Sequence, residues 1–408
     1  MSERAQLKRS VTLPFLILYG LGTMVGGGFY ALVGKVAGEA GLLAPLALLF
    51  SGLFALLTGL SFAELVSRYP VSSGPVRYIR EGFRWNSLAI LVGILMMLTG
   101  IVSAAALAVA TIGFLQDFVA VPQEMAIVVL VLAMGSVAAW GIGKSVAVVT
   151  VITVIEVAAL IYAILVADAS LIDITHRWRE FVPTMQGEIW VGIFAAAFLA
   201  FYSFIGFEDM ATMAEEVKNV RTVLPLAIII SVVLTILLYM VVSSVAVMSV
   251  SPATLAETNT PIAAMVGGHS WYSSTGLGIV SLLTGLNGAL VQIVMASRVA
   301  YGMARNENAP SWLAKVNPHT RTPLRATAAI TVVIMLLAIL FPLTTLAKVT
   351  SGIILVIFCG VNLALWVIKR REPDLNGEGL RLPSWLPLLG AIGAAVVLGF
   401  QIWLVFSR

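Results

Sequence analysis

Gly22-Thr23-Met24-Val25-Gly26-Gly27-Gly28 interrupts the first membrane-length apolar segment of this chain, and Ser203-Phe204-Ile205-Gly206-Phe207-Glu208 interrupts the sixth. A helix broken at bilayer depth bares backbone N–H and C=O groups that hydrocarbon cannot satisfy, so the break persists only where protein or a ligand does so. Two such breaks at matching places in two half-sequences point to a transporter's binding site near the bilayer midplane.

Composition agrees with this reading. Sixty per cent of the residues are hydrophobic and 11% charged, against roughly 45–50% and about 25% in a soluble domain. The 408 residues leave room for about ten or more spans of roughly 20 residues, with little left for a soluble catalytic domain. The single Cys359 can form no intrachain disulfide.

Apolar runs bounded by polar residues give eleven spans: 12–36, 41–67, 85–115, 125–141, 145–167, 189–213, 224–250, 273–303, 325–342, 348–368 and 384–406. With segment 1–11 in the cytoplasm, nineteen of the 24 basic residues fall on the inside, and only Lys35, Arg177, Arg179, Lys348 and Arg408 do not. That asymmetry is the positive-inside rule. With an odd number of spans it puts the C-terminus on the outer side, and the expected location is the plasma or inner membrane, multi-pass. The basic start and long apolar run read as an uncleaved first helix rather than a signal peptide.

Residues 12–168 and 189–368 each hold five spans. Because five is odd, the second set enters from the opposite side, so the halves form an inverted repeat. Span 384–406 stands outside the pair. The expected fold is therefore an all-α membrane protein with discontinuous helices one and six and one extra C-terminal helix.

The residues at the breaks resemble those of the amino acid–polyamine–organocation permeases, whose ten core helices are arranged as in the leucine transporter. The family's Gly-x-Met-Ile-Gly-x-Gly-Ile-Phe-like run is matched by Gly22 to Phe29. Ser61-Phe62-Ala63-Glu64-Leu65, Arg68-Tyr69-Pro70 and Ser73-Gly74-Pro75 look like the end of helix two and its loop. Gly206-Phe207-Glu208 with Glu215-Glu216-Val217-Lys218-Asn219 looks like the helix-six signature, with Val220 where proline is usual; Ala296 to Arg305 is similar to the end of helix eight. Many members have twelve spans, whereas this sequence shows eleven.

The resemblance implies an amino acid site. The amides of Gly27 and Gly28, at a helix N-terminus, would hold the carboxylate. The carbonyls of Met24, Tyr202 and Ile205 would hold the amine, with Gly26, Ser203, Phe204 and Gly206 completing the site. Tyr202 would gate it, while Phe201 and Phe207 would pack. A blander reading makes the glycines small residues for close helix packing, Gly22 and Gly26 forming a GxxxG spacing.

Carboxyls inside a bilayer are costly and mark function; four stand in the spans, Glu64, Glu156, Glu208 and Asp209. Glu64 has Arg68 at i+4 and reads as a structural ion pair. Glu208 either braces neighbouring N–H groups or titrates during transport. Glu156, mid-span without a basic residue within a turn, is a candidate proton carrier or cation ligand. The resembled family often carries lysine there, substituting for the sodium ion of its relatives, so this chain reverses the charge. A neutral carboxyl that merely bridges helices is the bland alternative.

Other signals are weak. Gly143-Lys144-Ser145 resembles the end of a phosphate-binding loop, but Ala138 stands at its first glycine position. His176, His269 and His319 lie in separate loops without ligand spacing, so no metal is expected. No nucleophile–base constellation supports an enzyme. The expected function is secondary active transport of a neutral amino acid or related amine, with H+ or Na+ as possible coupling ion, no other cofactor, and no partner beyond substrate and lipid bilayer. Neutral substrates are favoured because no acid appears in spans three or ten near the site. An uncoupled exchanger, a polyamine carrier, a channel or a transport-inactive sensor are the alternatives, and no nucleic acid is implied.

Overall fold

A computed structural model of the chain describes residues 11–71, 74–140, 146–167, 176–267, 271–305, 307–317, 322–372 and 379–407. Among the described residues, eight helical stretches are long and apolar enough to cross a membrane, and Leu13–Met24, Val151–Val166 and Leu324–Leu340 are shorter apolar helices. Basic residues Arg4, Lys8, Arg9, Lys144, Arg321 and Arg408, the Gly143-Lys144-Ser145 tripeptide, Ser73, His269 and His319 lie outside the described residues.

The spans follow the expected order. Span one is Leu13–Met24 followed by Gly27–Ala40; span two is Ala44–Arg68, three Asn86–Gln116, four Gln123–Trp140 and five Val146–Val166. Span six is Gly187–Phe201 with the 3-10 segments Tyr202–Phe204 and Phe207–Met213, and span seven is Val220–Ser249. Spans eight to eleven are Trp271–Arg305, Leu324–Leu340, Leu343–Arg371 and Trp385–Ser407. Several run past their expected ends, span eight by two residues on either side and span ten by five before and three after, because helices continue through the membrane interface where apolarity stops.

Both breaks are present. At the first, Val25 (φ −79°, ψ 63°) and Gly26 (φ −118°, ψ −165°) leave helical geometry. At the second, Ile205 is extended and Gly206 takes φ +134°. Beyond Gly206 the chain winds as a 3-10 helix, whose tighter turn and poorer hydrogen bonds are frequent at functional hinges. Each broken span packs on the other: Leu13–Met24 meets Phe207–Met213, and Gly27–Ala40 meets Gly187–Phe201. The unbroken spans also pair at an interval of five, two with seven, three with eight and four with nine.

The two broken spans are tied at their ends as well. Val11 N donates to Glu216 O at 3.1 Å and Lys218 N to Val11 O at 3.2 Å, a parallel bridge joining the entry of span one to the exit of span six. At the far end, Lys35 Nζ donates to Ala256 O in the short helix Pro252–Glu257.

Glu64 pairs with Arg68 as expected, Oε1 accepting from Nη2 at 2.8 Å. The pair is only part of the arrangement. Both Glu64 oxygens also accept from Lys369 Nζ at 2.7 Å, and Oε2 from Leu382 N at 3.0 Å, all around a carboxyl with no exposure. The cluster fastens span two to span ten and to the chain entering span eleven. Lys369→Met removes one charged donor but leaves Arg68 on the carboxylate, so an expected loss of roughly 1–3 kcal/mol would register as a lower midpoint in thermal unfolding of detergent-solubilised protein.

Candidate functional site

The breaks open onto one cavity of about 140 Å³. Its wall includes Met24, Gly26, Gly27 and Gly28 from the first break and Tyr202, Ser203 and Ile205 from the second. Span five adds Glu156.

Helix geometry sets the polarity of each wall. Gly27 and Gly28 are the first two residues of a 14-residue helix, so their N–H groups have no intrahelical acceptor and lie at the positive end of the helix dipole, and both residues line the cavity. The glycines divide by role. A Cβ at Gly27 would stand 2.7 Å from Gly285 Cα, and one at Gly22 would collide with Thr153, so these two serve close helix packing. At Gly28 a Cβ would lie 2.8 Å from Tyr202 Cε1, whereas Gly26 meets nothing within 4 Å. The packing reading therefore holds for part of the run, and Gly26 borders open space.

The carbonyls differ in availability. Met24 O accepts from Gly26 N at 2.9 Å and from the Tyr239 hydroxyl at 2.7 Å, filling both lone pairs. Tyr202 O accepts from Ile205 N at 3.3 Å. Ile205 O takes no donor among the described residues, so of the three expected amine acceptors it is the one left free. Tyr202 itself lies over Gly28 and is held by span three, its hydroxyl 2.9 Å from Ser103 Oγ and donating to Ser103 O at 3.2 Å.

Three expected site residues stand behind the wall rather than in it. Phe204 is fully buried and meets Tyr239 edge-on, centroids 5.1 Å apart. Gly206 shapes the turn, since its φ of +134° is a region side chains avoid. Glu208 makes the contact expected of a brace, its Oε2 accepting from Gly206 N at 2.9 Å. Phe201 and Phe207 pack against Phe358, as expected.

Glu156 is the outstanding polar group. It is 1% exposed, and neither carboxyl oxygen has a hydrogen-bond partner among the described residues. The Tyr30 hydroxyl donates instead to its main-chain oxygen at 2.7 Å. Burying such a carboxyl in its ionised form without a partner is costly.

Several cavity-lining positions carry no sequence motif, and Asp209, one of the four carboxyls in the spans, joins them. Span eight lines the cavity with Thr284, Asn287 and Gln292, and Tyr19 and Asp209 line it from the broken spans. Tyr239 joins both breaks: its single hydroxyl proton is shared between Met24 O at 2.7 Å and Ser203 O at 3.1 Å, and its ring stacks on Phe29 at 3.7 Å. No motif flags a lone tyrosine in an apolar span. Tyr239→Phe keeps the stacking and removes the shared donor; an expected destabilisation of roughly 1–3 kcal/mol would appear in thermal unfolding.

Comparison with known proteins bears on what the cavity holds. A family model described as amino acid permease matches residues 12–407. A branched-chain amino acid permease of Bacillus subtilis is 28% identical over 100% of this chain and 93% of its own length. An uncharacterized transporter of Mycobacterium tuberculosis is 30% identical, covering 97% of this chain and 87% of its own length. A cationic amino acid transporter of Arabidopsis thaliana is 29% identical over 96% of this chain and 70% of its length.

Proposed function

This chain belongs to the amino acid permease family of the amino acid–polyamine–organocation superfamily, a multi-pass membrane transporter and not an enzyme, and from that premise we propose a secondary active carrier for an amino acid or related amine. The carrier works by alternating access and is coupled to a proton or monovalent cation through Glu156.

One observation carries the reading: Gly27 and Gly28, whose N–H groups are free, and Ile205, whose oxygen is unclaimed among the described residues, line the same cavity. A zwitterion has a carboxylate for the first and an ammonium for the second. The relatives' names, which include branched-chain and cationic amino acids, support an amino acid as cargo. Pairing of spans at an interval of five supports two repeats, 12–168 and 189–368, around the site. Orientation follows the basic residues, with the N-terminus in the cytoplasm and the C-terminus on the outer face of the plasma or inner membrane.

Alternating access then has a physical basis. Spans one and six, bridged to each other at Val11 and Glu216, pack with spans two and seven, while three pairs with eight and four with nine. Relative motion of these groups would open the cavity to one side at a time.

Uptake of radiolabelled amino acids into proteoliposomes tests the proposal. Saturable uptake, competed by unlabelled substrate and raised by an imposed proton or sodium gradient, is expected. Flux that rises linearly with concentration would indicate a channel, binding without flux a sensor, and flux requiring internal amino acid but no gradient an exchanger.

A further inference from the structure

Asp209 reaches the cavity from span six, one 3-10 turn beyond the second break, where its N–H donates to Gly206 O at 3.1 Å. Its carboxyl makes no hydrogen bond or ion pair with any described residue. Its titratable neighbours are Tyr19, on the same wall, and Glu208, whose Oε2 is held by Gly206 N. No lysine, arginine or histidine lines the cavity among the described residues.

Charge balance turns this into a statement about cargo. Ionised, Glu156 and Asp209 each put a negative charge into a wall where unpaired charge is expensive, so each either takes up a proton or meets a positive partner. The adjacent Glu208 stands behind the wall on Gly206 N. An amino acid headgroup brings one positive and one negative charge, which the glycine amides and the Ile205 oxygen already meet. The coupling ion offsets Glu156, whose two oxygens are buried and unpartnered beside the first break. Asp209 remains without a countercharge.

We infer that Asp209 is a specificity-determining residue that receives a second cationic group, the ammonium or guanidinium of a substrate side chain. The cavity is thus built for an amino acid with a positively charged side chain. The inference rests on the transport reading and narrows it. It also reverses the expectation of a neutral substrate, which considered acids in spans three and ten, whereas this acid comes from span six.

The test measures binding of lysine and of leucine to purified wild-type protein, Asp209→Asn and Asp209→Glu, by thermal shift and by competition for uptake in proteoliposomes. Wild type is expected to prefer lysine. Asp209→Asn should weaken lysine by roughly tenfold to a hundredfold, the worth of a charged hydrogen bond, and change leucine by less than about threefold. Asp209→Glu, which keeps the charge, should retain the preference.

Wild type that binds leucine better than lysine overturns the inference and leaves the carrier intact. So does an equal loss of both ligands in Asp209→Asn, which would mark a structural or coupling role. Wild type that binds and transports no amino acid of either kind overturns the transport reading itself.

Discussion

Glu156→Gln is expected to abolish concentrative uptake while leaving exchange of substrate across the membrane. One elementary charge moved through 100 mV supplies about 2.3 kcal/mol, enough for roughly 50-fold accumulation. A glutamine can neither carry a proton nor balance a cation, so with the membrane potential held at zero and only a chemical ion gradient imposed, the variant should bring substrate only to equal concentration on both sides. Counterflow, driven by internal unlabelled substrate, should persist because the headgroup contacts come from the two breaks.

Folding provides the control for this variant. The carboxyl has no protein partner to lose among the described residues, and an amide removes the cost of charge in an apolar place, so thermal stability should be equal or higher. A variant that still accumulates substrate against an imposed ion gradient would exclude the coupling role and leave Glu156 as a neutral bridge between helices.

Gly206→Ala is expected to lose both stability and transport. The new Cβ would lie 2.5 Å from Thr23 O and 2.8 Å from Thr23 C, in the opposing break, and the backbone would hold φ +134° with a side chain attached. Strain and overpacking each cost about 1–3 kcal/mol, and the contact can relax only by forcing the breaks apart. The cavity wall moves with them. Uptake should therefore fall about a hundredfold or more, since a displacement of an ångström in a binding constellation has that effect. Gly399→Ala, in span eleven where nothing lies within 4 Å, should change stability by less than about 1 kcal/mol. Equal behaviour of the two variants would mean that the second break does not depend on its glycine.

The fold was legible because membrane insertion is enforced locally. Each span must be apolar over its own length, and each carries its own backbone hydrogen bonds, so span number and order can be read one segment at a time. The glycine runs were legible for the same reason: a helix stops where its own residues leave helical geometry. The i+4 pairing of Glu64 with Arg68 also follows from one helix. Lys369, which shares that carboxylate, does not, because it arrives from span ten.

Within the site the same division holds. Sequence alone determined that two broken helices offer bare amides and carbonyls, and that Glu156 lies within an apolar span. Only the tertiary structure decided which carbonyl is free, since Tyr239 and the turn amides claim Met24 and Tyr202 while Ile205 O stays open. It also set Phe204, Gly206 and Glu208 behind the wall and brought Asp209 and span eight to the front. Hydrogen-bond acceptors are filled, and charges balanced, by whatever the packing of distant spans puts within about 3 Å. That proximity is a property of the assembled bundle, and no single stretch of the chain contains it.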